Sequence, residues 1–330
     1  MPKLITLPTP FPLSTVNAVL IEAQPLTLID CGPKHPDTLA ALEAALAAHG
    51  HRIEDLRQLI LTHHHVDHVG LAGTIVARSR AAVLSHPYNA PYLGDYEAQR
   101  RRNLPFFAQI WAEGGVPEPI LEKMLHSSEG MGRWLDPVAI TRPLDEGDTL
   151  TFTNPPQQWH VYYTPGHAGG LICLYNTQTA ELLANDHLIR DITSNPVLEP
   201  PPLGSVGGPR PKRLVEYLRH MQRMAALTPA PRIAYTGHGE PVLDVAELVR
   251  KRAAFHQRRA EKIYAALSAG PRTLWQLTEP LFARLTRGID FFLAISETLA
   301  HLDLLESEGR VESLCRDGLV TWAQLRPTRS

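Results

Sequence analysis

Cysteine is scarce. Cys31, Cys173 and Cys315 are the whole complement of a 330-residue chain, odd in number and far apart. They supply neither a disulfide framework nor the closely spaced pairs of a thiolate metal site. No apolar run is long enough to span a bilayer. The N-terminal "MPKLITLPTPFPL" lacks both the apolar stretch and the small-residue cleavage site of a secretory signal, so a cytoplasmic chain is expected. Neither sign of charge dominates: 32 Lys and Arg stand against 34 Asp and Glu, for a formal net charge of −2 and a pI near 6.8. That balance excludes a general attraction to nucleic acid or an anionic membrane and leaves only local patches. With 44% hydrophobic and 20% charged residues the chain has material for a sizeable core, and disorder is not expected. Internal repeats and low-complexity tracts are also missing.

Histidine is concentrated instead. In "LILTHHHVDHVG" (59–70), His63, His64, His65, Asp67 and His68 fall within six positions, directly after an apolar run. Packed cores rarely hold several adjacent polar rings, and a solvated loop has no need of them. Side chains that bind a metal ion through nitrogen and carboxylate donors together account for the pattern.

The surrounding chain alternates strand and helix signals. "VNAVLIEAQPLTLIDCG" (16–32) reads as two β-runs broken by a Gln-Pro turn, ending near Asp30. "HPDTLAALEAALAAHG" (35–50) reads as a helix with a glycine stop, 56–62 as a buried strand, 68–79 as a helix and 81–86 as a strand. This order predicts a layered α/β domain. Residues 88–145 break the rhythm: the aromatic-rich, helical stretch 88–135 reads as an inserted lid. Strands resume at 148–153, 159–164, 171–175 and 181–184, and a helix near 211–227 precedes a strand at 232–236. Composition shifts again near 245. Helical patterns at 245–270, 273–282 and about 289–308, then a strand-turn-strand, predict a small winged-helix-like unit over 246–330, leaving 1–245 as the main domain.

Further donors stand at predicted strand ends: His167 in "TPGHAGG", Asp186 in "LLANDHL" and His238 in "YTGHGEP". With "VNAVLIE", "LIDCG" and "THHHVDHVG", these motifs resemble, in order, the metallo-β-lactamase superfamily, and most closely its glyoxalase-II-like hydrolase branch. The resemblance covers about residues 10–245. The C-terminal pattern resembles the winged-helix extension of β-lactamase-like protein 2.

The resemblance implies an α/β fold, a four-layer αββα sandwich with a dinuclear site at one edge. It implies two divalent metal ions, zinc first, with iron or manganese as alternatives. One takes His63, His65 and His167, the other Asp67, His68 and His238, and Asp186 bridges them. Asn185 departs from the pattern, which has glycine there. A metal pair lowers the pKa of a shared water and yields a hydroxide nucleophile near neutral pH, with Asp67 orienting it. Asp30 is the candidate to orient a ligand histidine. His64 is expected to point away from the metals and His160 to be structural. His86, His187 and the run Arg100, Arg101 and Arg102 are candidates for contact with substrate, and the insert's aromatics for an acyl pocket.

The expected activity is hydrolysis of a small thioester or ester-like substrate, a lactone being next. RNA cleavage is the rival: the interval from Asp186 to His238 is too short for the domain that the superfamily's β-CASP nucleases insert there. A mono-iron persulfide dioxygenase is the third reading. The helix at 289–308 carries Asp290, Glu297, Asp303, Glu306 and Glu308 and no Lys or Arg, so it would repel a phosphate backbone. The C-terminal unit is therefore expected to pack on the hydrolase domain, wall the active-site mouth or mediate a homodimer, and nucleic acid and membrane are not expected partners.

Overall fold

The computed structural model describes residues 2–202, 208–282, 285 and 288–325. Six strands form the first sheet: β1 (Lys3–Pro8), β2 (Thr15–Ile21), β3 (Thr27–Ile29), β4 (Gln58–Leu61), β5 (Ala82–Ser85) and β6 (Arg142–Pro143), side by side in chain order. Five form the second: β7 (Thr149–Phe152), β8 (Gln157–Tyr163), β9 (Ile172–Asn176), β10 (Glu181–Asn185) and β11 (Ile233–Thr236), in the order β11-β10-β9-β8-β7. Strand alternation sends successive side chains to opposite faces and so divides the core. Val16, Ala18 and Leu20 of β2 and Leu59 and Leu61 of β4 face outward into one apolar cluster. Val19, Ile21 and Ile60 face the second sheet, where they meet Trp159, Val161, Ile172 and Leu174. Cys173 and Tyr175 of β9 face a third cluster beyond the second sheet.

Helices cover both outer faces. Helices α1 (Pro36–Ala48) and α3 (Ala72–Ser79) bury Leu42, Leu46 and Ile75 against the first sheet, while α7 (Arg213–Ala225) and α8 (Val245–Ala266) cover the second. The result is the expected helix–sheet–sheet–helix sandwich. The inserted stretch folds as α4 (Ala90–Gly94), α5 (Tyr96–Glu113), α6 (Glu118–His126) and a 3-10 turn at Met131–Trp134 before β6 rejoins the first sheet. Asp95 caps α5 by accepting from the Ala98 N–H at 2.8 Å.

Beyond α8 come β12 (Arg272–Thr273), α9 (Leu274–Leu281), α10 (Gly288–Ser307), β13 (Val311–Arg316) and β14 (Leu319–Gln324), the three strands forming a small sheet in the order β12-β14-β13. Thr273 and Gln276 make a capping box at the start of α9. Leu274, Leu299 and Trp322 of this segment share one apolar cluster with Trp111 and Met124 of the insert and Leu214 of α7, so the core is continuous across residue 245. Phe107 and Trp111 meet Phe292 edge-on, with ring centroids 5.5 and 5.9 Å apart. No helix of the described residues is long and apolar enough to cross a membrane.

Two of the departures from the sequence reading are local and have a clear cause. β1 was not expected, because its prolines and weak alternation hide a strand that pairs antiparallel with β2 along its whole length. The helix expected at 68–79 is interrupted: α2 (Val66–Val69) ends at Gly70, and the Leu71 N–H donates to Gly32 O at 3.1 Å. Glycine is required there, since a Cβ on Gly70 would lie 2.2 Å from Trp134 O.

Candidate metal centre

Every ligand candidate lies just beyond the C-terminal end of a strand. Asp30 follows β3, His63 to His68 follow β4, His167 follows β8, Asp186 follows β10 and His238 follows β11. Backbone bonds stitch these ends together. Asn17 N–H donates to Gly237 O at 2.7 Å, Ile172 N–H to Thr62 O at 3.0 Å and Cys31 N–H to His68 O at 2.7 Å. The Asn17 amide adds bonds to Thr236 O and Gly239 O at 3.0 and 2.8 Å, fixing the His238 loop. Two non-glycine residues here have left-handed backbone, Asp30 at φ 55° and Asn185 at φ 45°. Short polar side chains tolerate that conformation, which explains how asparagine stands where the related pattern has glycine.

Hydrogen bonds behind the histidines fix which ring nitrogens face inward. His68 Nδ1 donates to Asp30 Oδ2 at 2.9 Å, His238 Nδ1 to Thr15 O at 2.7 Å and His167 Nδ1 to Asn195 O at 2.9 Å. Thr62 Oγ1 donates to Asp30 Oδ2 at 2.7 Å and so is left to accept from His63 Nδ1 at 3.1 Å. In each neutral ring the Nε2 lone pair then points into one shared space. His65 contributes Nδ1, which lies 3.0 Å from His167 Nε2. Asp186 stands between the two groups: Oδ2 is 3.4 Å from His167 Nε2 and 3.5 Å from His238 Nε2, and Oδ1 is 3.4 Å from His68 Nε2. Asp67 Oδ2 lies 3.4 Å from His238 Nε2 and 3.9 Å from His68 Nε2.

A divalent ion fits this donor set. His63 Nε2, His68 Nε2 and Asp186 Oδ1 are buried without a hydrogen-bond partner, an arrangement that is costly unless a ligand completes it. Two triads, His63 with His65 and His167, and Asp67 with His68 and His238, have donor atoms within 4.8 Å of one another. A third, Asp30 with His63 and His68, meets the same criterion. Asp30 is better placed to orient His68, because both its oxygens already accept bonds, Oδ1 from Thr62 N–H at 2.9 Å.

The electrostatics favour the same reading. Burial, with neighbouring histidines, holds His63 and His65 well below the usual imidazole pKa, and burial lowers His167 too, so all three keep free lone pairs. Burial would raise the Asp67 carboxyl, but His68 and His238 outweigh it and bring the pKa to about 2. Asp186 is likewise held well below its ordinary value, against burial, by His68 and His238. The carboxylates act in return: against burial, Asp186 and Asp67 hold His68 well above its ordinary value and His238 at about 10. A cation entering here meets two carboxylates and displaces protons from imidazoles.

Residues 12–255 match the family model described as the metallo-beta-lactamase superfamily. The chain belongs to that superfamily. The probable metallo-hydrolase YqjP of Bacillus subtilis is 34% identical over 311 residues, covering 94% of this chain and 93% of that protein. A metallo-beta-lactamase family protein from Thermus thermophilus superposes with a TM-score of 0.79 at 30% identity, covering 98% of each chain. A beta-lactamase domain protein from Burkholderia ambifaria shares the fold, with a TM-score of 0.81 at 22% identity over 98% of this chain and 92% of that one. Membership together with the His/Asp cluster makes this chain a metallo-hydrolase of the superfamily.

The remaining candidates separate. His64 turns from the cluster: it stacks on Tyr92 with centroids 3.8 Å apart, and its Nδ1 lies 3.2 Å from Asn89 Oδ1. His160 pairs with Thr149 Oγ1 at 3.3 Å, outside the cluster. His86, a candidate for substrate contact, is partly buried. Its ring stacks on Tyr163 at 4.2 Å and its Nδ1 accepts from Tyr88 N–H, because the proline that follows turns the chain into a 3-10 turn. His187 is also not at the mouth: it is fully buried, its ring 5.4 Å from Tyr217 in the outer helical layer. Arg101 and Arg102 are exposed, whereas Arg100 is partly buried and paired with Glu97. Among the aromatics, Phe107 and Trp111 pack into the core shared with α10, and Tyr92 lies against His64.

Sequence reasoning missed Thr62, which links His63 to Asp30, and Asn17, whose signal was a polar residue inside the apolar run "VNAVLI". It also missed a buried network beside the site. Glu199 lies 3.4 Å from His64 Nε2 and 2.7 Å from Arg213, which also pairs with Glu216 at 2.8 Å.

Proposed function

We propose that the chain is a dinuclear hydrolase of small ester-like substrates, thioesters first and lactones next, in the manner of the glyoxalase-II-like branch. The observation that supports it is the convergence of five imidazoles and two carboxylates whose inward donor atoms are set by outer hydrogen bonds. His63, His65 and His167 hold one metal, Asp67, His68 and His238 the other, and Asp186 both, with zinc the natural occupant of such a nitrogen-rich set. Metals bound there supply Lewis acidity, lowering the pKa of water and polarising a carbonyl oxygen. Asp30, Thr62, Asn195 and Thr15 hold the imidazoles in the tautomer a metal needs. The Asp67 side chain is 23% exposed, against 6% for Asp186 and 0% for His68, so it is the carboxylate that reaches solvent and can orient an attacking water.

The segment 246–330 is read as a winged-helix-like unit with a packing role. Its acidic helix α10 is engaged within the chain: Asp303 pairs with Arg210, Glu306 with Lys212 at 2.7 Å and Glu297 with Arg259 at 3.3 Å. With no Lys or Arg of its own, that helix offers no basic surface to RNA.

The test is thiol release from a panel of glutathione and CoA thioesters by metal-replete protein, with His65→Ala beside it. Release by the wild type alone is expected. No release from any member would move the assignment to lactones and then to single-stranded RNA, and one tightly bound iron per chain would favour the dioxygenase.

A further inference from the structure

Helix α5 of the insert presents an unusual inner face. Tyr96, Gln99, Arg100 and Asn103 share it by their i, i+3, i+4 and i+7 spacing. Gln99 and Asn103 are only 5% and 6% exposed. Gln99 Nε2 donates to Asn103 Oδ1 at 3.0 Å, and Asn103 Nδ2 donates to the Tyr92 hydroxyl at 3.0 Å. Tyr92 stacks on His64, whose ring is 5.2 Å from that of His65. A polar helix face therefore runs directly to the metal-binding loop, whereas the second half of α5 turns apolar and packs against α10.

Arg100 is the exception within this face. Its side chain is 14% exposed, and Nε donates to Glu97 Oε2 at 2.8 Å. Glu97 Oε1 in turn accepts from Gly132 N–H at 3.1 Å, which anchors the pair on the 3-10 turn that packs against α2, the helix of Asp67 and His68. The guanidinium is thus held by one edge. Its Nη1 is buried and has no partner, a costly condition for a charged donor. Arg101 and Arg102, its neighbours in the basic run, are exposed.

We infer that Arg100 binds an oxyanion of the substrate, a carboxylate or a phosphate, at the mouth of the metal centre. The inference rests on the hydrolase reading and extends it: the preferred substrate is an anionic ester or thioester, gripped at its charged end by the insert while the reacting carbonyl reaches the metals. The Tyr96 phenol lies within the electrostatic reach of both ends of this path. Burial raises its pKa to about 12, with Glu97 and Asp67 adding to the rise and Arg100 opposing it. A guanidinium whose Nη1 has no partner is suited to donate to an oxyanion. Arg100 so placed is a specificity residue and not part of the metal set.

The test compares wild type, Arg100→Gln, Arg100→Lys and the exposed control Arg101→Gln, all metal-replete and of equal measured metal content. Titration calorimetry with inorganic phosphate and with glutarate reads anion binding without turnover. Hydrolysis of p-nitrophenyl acetate and of mono-p-nitrophenyl glutarate reads selectivity. Arg100→Gln is expected to weaken binding of at least one anion by about tenfold or more, the size of one charge-assisted contact. It should raise KM for the anionic ester alone, with kcat for the neutral ester unchanged. Arg100→Lys recovers part of the loss and Arg101→Gln shows none. The stronger of the two anions identifies carboxylate or phosphate as the natural group. Equal binding by wild type and Arg100→Gln, or no anion binding by the wild type, overturns the inference. Failure to hydrolyse either ester counts against the hydrolase reading and leaves the titration to decide on Arg100.

Discussion

Replacing Asp30 by asparagine removes one charge from behind His68 and keeps the size of the side chain. Asp30 is fully buried, and its carboxylate accepts from Thr62 N–H at 2.9 Å, Thr62 Oγ1 at 2.7 Å and His68 Nδ1 at 2.9 Å. Asparagine keeps the shape and tolerates the backbone at φ 55°. It cannot keep all three bonds. With its NH2 toward Thr62 N–H, donor meets donor. With its NH2 toward His68, the ring is driven to the other tautomer and its Nε2 becomes an N–H that no metal can bind. Losing a hydrogen bond to a charged group costs about 1.5–3 kcal/mol of stability. Losing the partner of a ligand histidine costs about 10–100-fold in metal affinity, or about 1.4–2.8 kcal/mol. Asp30→Ala should be worse by a further ~1–2 kcal/mol, because alanine resists the left-handed backbone. Zinc competition against a chromophoric chelator reads the affinity, and thermal unfolding of the metal-free protein reads the stability. Wild-type affinity together with wild-type melting in Asp30→Asn would refute the argument that outer hydrogen bonds set the inward donors.

Other outcomes follow from the same geometry. A Cβ on Gly237 would lie 2.0 Å from Asp186 Oδ1 and 2.7 Å from His68 Cε1. Gly237→Ala should therefore lower metal affinity by about tenfold or more, read by metal analysis of protein with an unchanged circular dichroism spectrum. His256 Nδ1 donates to His301 Nε2 at 3.2 Å in the α8–α10 interface, where burial holds His256 at about 3 and His301 at about 4 against an ordinary 6.5. The unfolded chain binds these protons first, so the stability is present above pH 6.5 and is lost as pH falls toward 4 and then 3, at up to about 1.4 kcal/mol per pH unit for each histidine. Urea melts at pH 7, 6 and 5 should show the loss, and a shallower pH dependence in His301→Gln checks its source. Arg213→Met strands the buried Glu199 carboxylate and should cost about 3–5 kcal/mol. Adding Glu199→Gln should recover part of that in the same melts.

The sandwich was legible because strand periodicity is local. β4 and β10 declare themselves in four or five residues, and ligands sit where those runs stop. The donor set was legible for a related reason: His63 to His68 are contiguous, and His167, Asp186 and His238 each stand beside turn residues after a strand. What was hidden depends on residues far apart in the chain. Glu199 meets His64 only in the folded chain, and Arg213 of α7 then pairs with Glu199. Nothing local marks Arg100 as different from Arg101 and Arg102, because the difference is which side of α5 meets the metal loop. The continuity of the core across residue 245 was hidden as well, since a change in composition reports a change of surface and not whether two segments bury one common interior.

The measurement that bears most directly on the central claim is metal stoichiometry, by plasma mass spectrometry of zinc-replete, gel-filtered protein, for wild type, His65→Ala and His238→Ala. Two ions per wild-type chain, and about one in each variant, are predicted, since each histidine serves a different triad. Wild-type protein with no bound metal, or variants that both retain the full wild-type content, would contradict the account.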